Sequence, residues 1–155
     1  MNNLRRSVLK GAGSAGVVGV AMMAGLLKPG MVFAAWNKAG FESKDMAGAM
    51  SSVGAGAAAA SGDITVKAPD IAENGAVVPV EVESKIAGTN RLVLLSEKNI
   101  YPLLADFNLS NGAEPYVSTR IKLGATSNVV AVAYAGGKAY KAHKEVKVTI
   151  GGCGG

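Results

Sequence analysis

Seven short apolar segments, most of them alternating with polar residues, lie between residues 63 and 150. A period of two places successive side chains on opposite faces of a strand, so these segments predict β-strands. Glycine, proline and asparagine between the segments predict turns. The predicted strands are Ile64–Lys67, Val78–Glu83, Arg91–Ser96, Leu103–Leu109, Val117–Leu123, Ser127–Ala135 and Lys138–Ile150. We therefore predict a mainly β fold, an immunoglobulin-like antiparallel β-sandwich, over residues 63–150.

Three details of this pattern predict how the strands are placed. Pro79 has no backbone N–H to donate, so it indicates an edge position. Gly136 and Gly137 stand between two strands and predict a tight turn. The last strand has one apolar face, formed by Tyr140, Ala142, Val146, Val148 and Ile150. We expect this strand to close the domain and to lead out of it at a rim.

A stretch rich in alanine and glycine, from Ser43 to Ala60, precedes the strands and predicts a helix. Met46, Met50 and Val53 are spaced i, i+4, i+7, which places them on one helical face. Ser43 is a suitable N-cap for this helix. Because glycine lowers helix stability, the glycines in this stretch predict a short helix that depends on packing against the domain.

The first 34 residues have the features of a twin-arginine signal peptide. Arg5-Arg6 precedes an uncharged run, and the small residues of Val32-Phe33-Ala34 predict cleavage between Ala34 and Ala35. A membrane anchor is the alternative interpretation. The uncharged run, Gly11–Leu27, has 17 residues and contains five glycines, whereas a membrane-spanning helix needs about 20 strongly apolar residues. We therefore expect export to the periplasm by the twin-arginine route, and no membrane span in the mature form.

These patterns divide the chain into four parts. They are the signal peptide 1–34, a helical segment 35–62, the β-sandwich 63–150 and a C-terminal arm 151–155. Four of the 16 basic residues belong to the signal peptide, so the mature chain would carry 12 basic and 11 acidic residues. A net charge this close to zero gives no support for nucleic-acid binding.

The arm contains the only cysteine of the chain, in Gly151-Gly152-Cys153-Gly154-Gly155. Cysteines normally pair in an oxidising compartment, so a single one indicates an intermolecular link or a reactive thiol. Glycine has no side chain and leaves the backbone thin and free to turn. We therefore expect Gly151, Gly152, Gly154 and Gly155 to form a flexible arm that presents the Cys153 thiol to other proteins.

The rest of the chain has no pattern typical of a catalytic or metal site. His143 is the only histidine, and it lies on the charged face of its strand. Asp70 and Glu73 are interpreted as surface residues of a turn that has Asn74 and Gly75 at its tip. A cysteine and a histidine ten residues apart match no metal-ligand spacing. We expect no catalytic residue, no metal and no cofactor in this chain.

Two segments together resemble one known family. They are Lys147-Val148-Thr149-Ile150-Gly151-Gly152-Cys153-Gly154-Gly155 and Ala68-Pro69-Asp70-Ile71-Ala72-Glu73-Asn74-Gly75-Ala76-Val77-Val78-Pro79-Val80. They are similar to the C-terminus and to a second recurrent segment of the SoxY family, the sulfur-carrier subunits of the periplasmic thiosulfate-oxidising Sox system. The twin-arginine signal and the chain length agree with this resemblance, which extends over the whole chain.

The resemblance implies a mechanism and a set of partners. Cys153 would be the covalent attachment site, and the carrier would be a heterodimer with SoxZ. A haem-containing partner, SoxXA, would join thiosulfate to the cysteine, SoxB would release sulfate, and SoxCD, where present, would oxidise the remaining sulfur as a persulfide. Haem and metals are then expected only in the partners. The candidate surfaces for SoxZ are an edge strand and the Met46, Met50 and Val53 face.

Two alternatives use the same residues differently. A terminal Gly-Gly also occurs in cytoplasmic carriers that bind sulfur as a thiocarboxylate, which would place sulfur on Gly155. That chemistry requires ATP, which an exported protein would lack. The other alternative is an exported β-sandwich protein that is crosslinked to a partner through Cys153.

Overall fold

The computed structural model describes residues 37–149, and about half of them lie in strands. Two helices come first, α1 at Lys38–Phe41 and α2 at Met46–Ser52. Nine strands follow: β1 Ala59–Ala60, β2 Ile64–Lys67, β3 Ile71–Ala72, β4 Val78–Ser84, β5 Thr89–Ser96, β6 Leu103–Asn108, β7 Tyr116–Ile121, β8 Ser127–Ala135 and β9 Lys138–Val148. No helix within residues 37–149 is both long and apolar enough to cross a membrane. The predicted signal peptide and arm lie outside the described residues.

The strands form two sheets, which confirms the predicted mainly β fold with a short N-terminal helix. The larger sheet has the order β1-β9-β8-β5-β6, with β3 also paired to β9, and the smaller has the order β2-β4-β7. The seven longer strands match the predicted segments and pair antiparallel. Strands β1 and β3 pair in parallel with β9. They were not predicted, because two residues cannot display a period.

The main core lies between the two sheets, where the inward residues of both meet. Its buried members are Ile64, Ala72, Val78, Val80, Val82, Leu92, Leu94, Ile121, Leu123, Val129, Ala131, Ala133 and Val146. Strands β8 and β9 form nine consecutive antiparallel pairs. The turn between them has Gly136 at φ 57° and Gly137 at φ 76°. Two left-handed residues are what a two-residue hairpin turn requires, so the predicted tight turn is confirmed.

Helix α2 covers the opposite face of the larger sheet. Met50 is 8% exposed and Val53 3% exposed, and both belong to a second core cluster with Val93 and Val130. The predicted helical face is therefore confirmed. Because the chain's own sheet occupies this face, it is not free to meet a partner.

The helix begins later than expected, so the prediction of Ser43 as its N-cap is wrong. Asp45 is the N-cap, in an extended conformation, and its side chain accepts a hydrogen bond of 2.7 Å from the Gly48 N–H. The Ser43 hydroxyl instead donates to the Asp45 carbonyl oxygen at 3.1 Å. An aspartate satisfies the first free N–H groups of a helix as well as serine does, and here it lies nearer to them.

Pro79 lies in β4, which is the middle strand of the smaller sheet. The predicted edge position is therefore wrong for the strand as a whole. Pro79 pairs with Arg120 of β7, whereas the pairing with β2 extends only from Glu81 to Ser84. On the β2 side, the described sheet has no partner at Pro79, so the missing N–H breaks no ladder hydrogen bond.

A partly buried ion pair fixes the end of α2 to the larger sheet. Arg91 donates to Asp106 through Nε at 2.7 Å and Nη2 at 2.6 Å. Its Nη1 and the Tyr134 hydroxyl both donate to the Val53 carbonyl oxygen, at 3.3 and 2.7 Å. The Arg91 guanidinium carbon lies 4.7 Å from the centre of the Tyr134 ring, a cation–π contact. We call Arg91, Asp106 and Tyr134 the charged lock.

Two pKa values are shifted within the charged lock. The hydrogen bond to Asp106 raises the pKa of Arg91, although burial opposes this shift. Burial raises the pKa of Tyr134, because the phenolate form would lose its contact with water. Both residues therefore stay protonated, which is the state in which they donate their hydrogen bonds.

Candidate functional site at the root of the arm

Strand β9 leads into the predicted carrier arm. The strand ends at Val148, Thr149 is the last described residue, and Cys153 with its four neighbouring glycines lies outside the described residues. Five residues lead from Val148 to Cys153, so the Cys153 Cα atom lies within roughly 18 Å of the strand end even in a fully extended chain. The described residues therefore define the root of the arm and the surface that surrounds it.

The segment that contains β3 holds the root through backbone hydrogen bonds. The Lys147 N–H donates to the Asp70 carbonyl oxygen at 3.0 Å, and the Thr149 N–H donates to the Ala72 carbonyl oxygen at 3.2 Å. The Thr149 hydroxyl also donates to the Glu73 carbonyl oxygen, at 3.4 Å. The last strand residues are thus fixed on the side that faces away from β8.

Gly75 lets the same segment come close to the root. Its carbonyl oxygen accepts a hydrogen bond of 2.7 Å from the Leu123 N–H. A Cβ atom at this position would collide with the Leu123 carbonyl oxygen and lie 2.9 Å from a methyl group of Val148. The Asn74 side chain accepts from the Ala76 N–H at 2.9 Å and shapes the turn. Only glycine fits this contact without displacement of the backbone.

The loop of residues 122–126 completes the root from a second direction. The Thr126 hydroxyl oxygen accepts a hydrogen bond of 3.0 Å from the Val148 N–H. Asn99 fixes this loop, because its Nδ2 donates to the Lys122 carbonyl oxygen at 2.7 Å and its Oδ1 accepts from the Gly124 N–H at 3.0 Å. We call residues 70–75 and Thr126 the clasp.

An exposed groove lies beside the clasp. It is lined by Lys98, Asn99, Ile100, Tyr101, Lys122, Gly124 and Ala125, and we call it the arm-end groove. Ile100 is 75% exposed and Tyr101 is 49% exposed. Lys98 and Lys122 are exposed as well, and no lining residue is acidic. The groove therefore combines apolar surface with positive charge at the end of the sandwich from which the arm leaves.

The two carboxylates that the sequence analysis considered lie on the surface. Asp70 and Glu73 are exposed, and Asn74 and Gly75 form the turn beside them, as predicted. Asp70 Oδ1 lies 3.0 Å from Lys144 Nζ, and the Asp70 side chain is 89% exposed. An ion pair this exposed stabilises a fold little. The segment acts at the root through its backbone.

His143 is exposed on β9, in the predicted solvated face that includes Lys141, Glu145 and Lys147. Within residues 37–149, no three His, Cys, Asp or Glu side chains group closely enough to hold a metal ion. The absence of a catalytic residue, metal or cofactor from the whole chain stays a prediction.

Gly75, Thr126 and Asn99 also build the site, and the sequence alone did not predict these roles. Gly75 was assigned to a turn, and nothing in its neighbours indicates that the turn packs on a strand more than 70 positions away. Thr126 makes one hydrogen bond of this kind and Asn99 makes two, all with distant backbone groups. The resemblance of residues 68–80 to a recurrent family segment is the one sequence signal that indicated a role for this part of the chain.

Comparisons with known proteins agree on one family. The family model described as sulfur oxidation protein SoxY matches residues 50–153, a range that includes both the clasp and Cys153. A solved structure, the sulfur carrier protein SoxY from Chlorobium limicola f thiosulfatophilum, is similar with 43% sequence identity and a TM-score of 0.55. The match covers 61% of this chain and 88% of that chain. No curated protein matches.

Proposed function

The chain belongs to the SoxY family of sulfur oxidation proteins, and from this membership we propose that it carries sulfur intermediates of thiosulfate oxidation on Cys153. The observation that carries the proposal is that the family match extends to residue 153, the only cysteine of the chain. The similar solved structure is named a sulfur carrier protein, which supports the same role.

The proposed loading step is an oxidation. The Cys153 thiol loses its proton, a bond forms between its sulfur and the outer sulfur of thiosulfate, and two electrons leave to a haem-containing oxidant, the partner SoxXA. Water then cleaves the bond between the outer sulfur and the sulfonate group in SoxB. This second step releases sulfate and a proton and leaves a persulfide on Cys153, which SoxCD would oxidise where it is present.

In this proposal the chain holds the substrate and its partners supply the chemistry. An ordinary exposed thiol is only a few per cent thiolate at neutral pH, so activation belongs to the partner's active site. Gly151, Gly152, Gly154 and Gly155 form the arm that enters that site. The clasp supports this division, because it fixes the root of the arm, up to Thr149, through backbone and hydroxyl groups.

The proposal also includes a cellular location and a partner subunit. We propose that the chain is exported to the periplasm by the twin-arginine route, is cleaved between Ala34 and Ala35 and works as a heterodimer with SoxZ. Covalent attachment then keeps each intermediate on one carrier while the carrier meets successive enzymes.

Mass spectrometry of the carrier tests the function. The mature chain with SoxZ is incubated with thiosulfate and SoxXA, and the adduct is mapped to a residue. We expect the adduct on Cys153 and none in the Cys153→Ser variant, which should still pair with SoxZ. An adduct on Gly155 would indicate thiocarboxylate chemistry instead. Loss of the SoxZ complex in Cys153→Ser, with no adduct on the unaltered chain, would indicate a structural crosslink.

A further inference from the structure

The arm-end groove exposes two large apolar side chains that do not pack in the core of the domain. Ile100 and Tyr101 are neighbours at the tip of the loop between β5 and β6, whereas the next residue, Pro102, is buried. The core clusters include neither of the two exposed side chains. Adjacent exposed apolar side chains with a polar rim are typical of interaction sites.

The groove is also fixed in shape before any partner arrives. Asn99 joins the two loops that line it, through its hydrogen bonds to the Lys122 carbonyl oxygen and the Gly124 N–H. The Ser96 N–H donates to the Pro102 carbonyl oxygen at 2.8 Å and closes the base of the first loop. A surface that is already ordered loses little conformational entropy when it binds.

The charge of the groove indicates the chemistry of its occupant. Lys98 and Lys122 are its charged lining residues, and both are exposed. A complementary surface therefore carries carboxylates around an apolar centre. Such complementarity increases the association rate and excludes surfaces of the wrong charge.

The short distance along the chain from Val148 to Cys153 indicates which protein covers the groove. Ala125 lines the groove, and its neighbour Thr126 accepts the hydrogen bond from the Val148 N–H at 3.0 Å. Cys153 is five residues beyond Val148, which limits its Cα atom to roughly 18 Å from the root. A protein that encloses Cys153 in its active site is therefore brought against this end of the sandwich.

We propose that the arm-end groove is the docking surface for the enzymes that act on Cys153. It fits a surface with apolar side chains and carboxylates beside the entrance of the enzyme's active site. The proposal rests on the carrier function of Cys153. Docking places the thiol at a high effective concentration near the active site, so the arm itself, which is mostly glycine, does not have to supply the recognition.

A charge reversal at the groove tests the proposal. The full mature chain carrying Lys98→Glu and Lys122→Glu is prepared with SoxZ and loaded with thiosulfate, and sulfate release by SoxB is measured. We expect KM to rise by about tenfold, the loss of roughly 1.4 kcal/mol of binding free energy, while kcat stays unchanged because the arm is intact. Added salt should raise the KM of the unaltered carrier and have little effect on that of the variant.

The matched control is Lys85→Glu with Lys138→Glu, two exposed lysines outside the groove, which makes the same change in net charge. A KM that rises equally in both double variants, or in neither, overturns the proposal. Loss of SoxZ pairing or a change of mass in light scattering with the groove variant also overturns it, since SoxZ or a second copy would then be the occupant. Failure of the carrier function itself is recognised separately, because the unaltered chain would then show no adduct on Cys153.

Discussion

The larger sheet is fastened by side chains at one end and by backbone at the other. The charged lock joins β5, β6 and β8 to the end of α2 through an ion pair, a cation–π contact and a phenol. The clasp holds the end of β9 through hydrogen bonds between backbone groups and the hydroxyl groups of two threonines. The lock depends on ionisable side chains, whereas the clasp holds β9 through backbone and hydroxyl groups, apart from the exposed ion pair between Asp70 and Lys144.

This difference suits the separate tasks of the two ends. The charged lock keeps a short helix on the sheet, and a partly buried ion pair gives that contact a specific geometry. In the proposed function, the root of the arm stays in place while anionic sulfur groups pass near it. Neutral hydrogen bonds do not attract or repel such groups as a buried charge would, so we expect the proposed cargo to leave the root unchanged.

The largest expected effect comes from removal of one partner of the lock. Asp106→Ala should lower the free energy of unfolding by about 3 kcal/mol, because it leaves the partly buried Arg91 without its carboxylate. Denaturant unfolding measures the change. The exposed carboxylate Glu114 provides the control, since Glu114→Ala should change stability little. Equal losses in the two variants would show that the ion pair does not hold this end of the sheet.

A smaller loss is expected at the clasp. Gly75→Ala should cost about 2 kcal/mol, because the added Cβ collides with the Leu123 carbonyl oxygen and the Val148 side chain. Amide hydrogen exchange should accelerate at Lys147 and Thr149, whose N–H groups donate to this segment. Gly62→Ala is the matched control, since an added Cβ at Gly62 meets nothing within 4 Å. Unchanged exchange at both amides in Gly75→Ala would contradict the assignment of the clasp.

The smallest expected effect is a pH dependence of the free energy of unfolding that arises in the charged lock and not in the clasp. Burial raises the pKa of Tyr134 above its ordinary value, which is about 10 in an unfolded chain. The stability from this group is therefore complete below pH 10 and is lost as the pH rises through the higher folded value. Unfolding measured from pH 9 upward should show a weaker alkaline decline in Tyr134→Phe than in the unaltered chain. An identical decline would mean that the pKa of Tyr134 is the same in the folded and the unfolded chain, which would contradict the burial effect.

The sequence predicted most of the fold, because periodic patterns are local. The alternation in β2, β4 and β7, the apolar run of β8 and the pair Gly136-Gly137 each carry their own signal. The predicted N-cap was wrong because Ser43 and Asp45 are both suitable capping residues. The choice between them depends on where the helix packs. Pro79 was placed at an edge, which holds for its own position in the ladder but not for its strand.

The candidate site was predictable only in part. The sequence alone indicates a carrier thiol, because the only cysteine lies between glycines. The clasp and the arm-end groove depend on hydrogen bonds between segments 22 to 77 positions apart, such as those made by Asn99, Thr126 and Thr149. Apart from proline, every residue type has the same backbone N–H and carbonyl groups, so the sequence carries no direct signal for such bonds.

The two short parallel strands also affect how this molecule behaves among its own copies. An open strand edge invites pairing with another chain and so promotes aggregation. Strand β1 covers β9 at Tyr140 and Lys141, and β3 covers it at Lys147 and Val148. The stretch between them, residues 142–146, is short and includes the charged Lys144 and Glu145. Along this side of the sheet, β1 and β3 therefore cover the edge of β9 and oppose edge-to-edge association between separate copies of the chain.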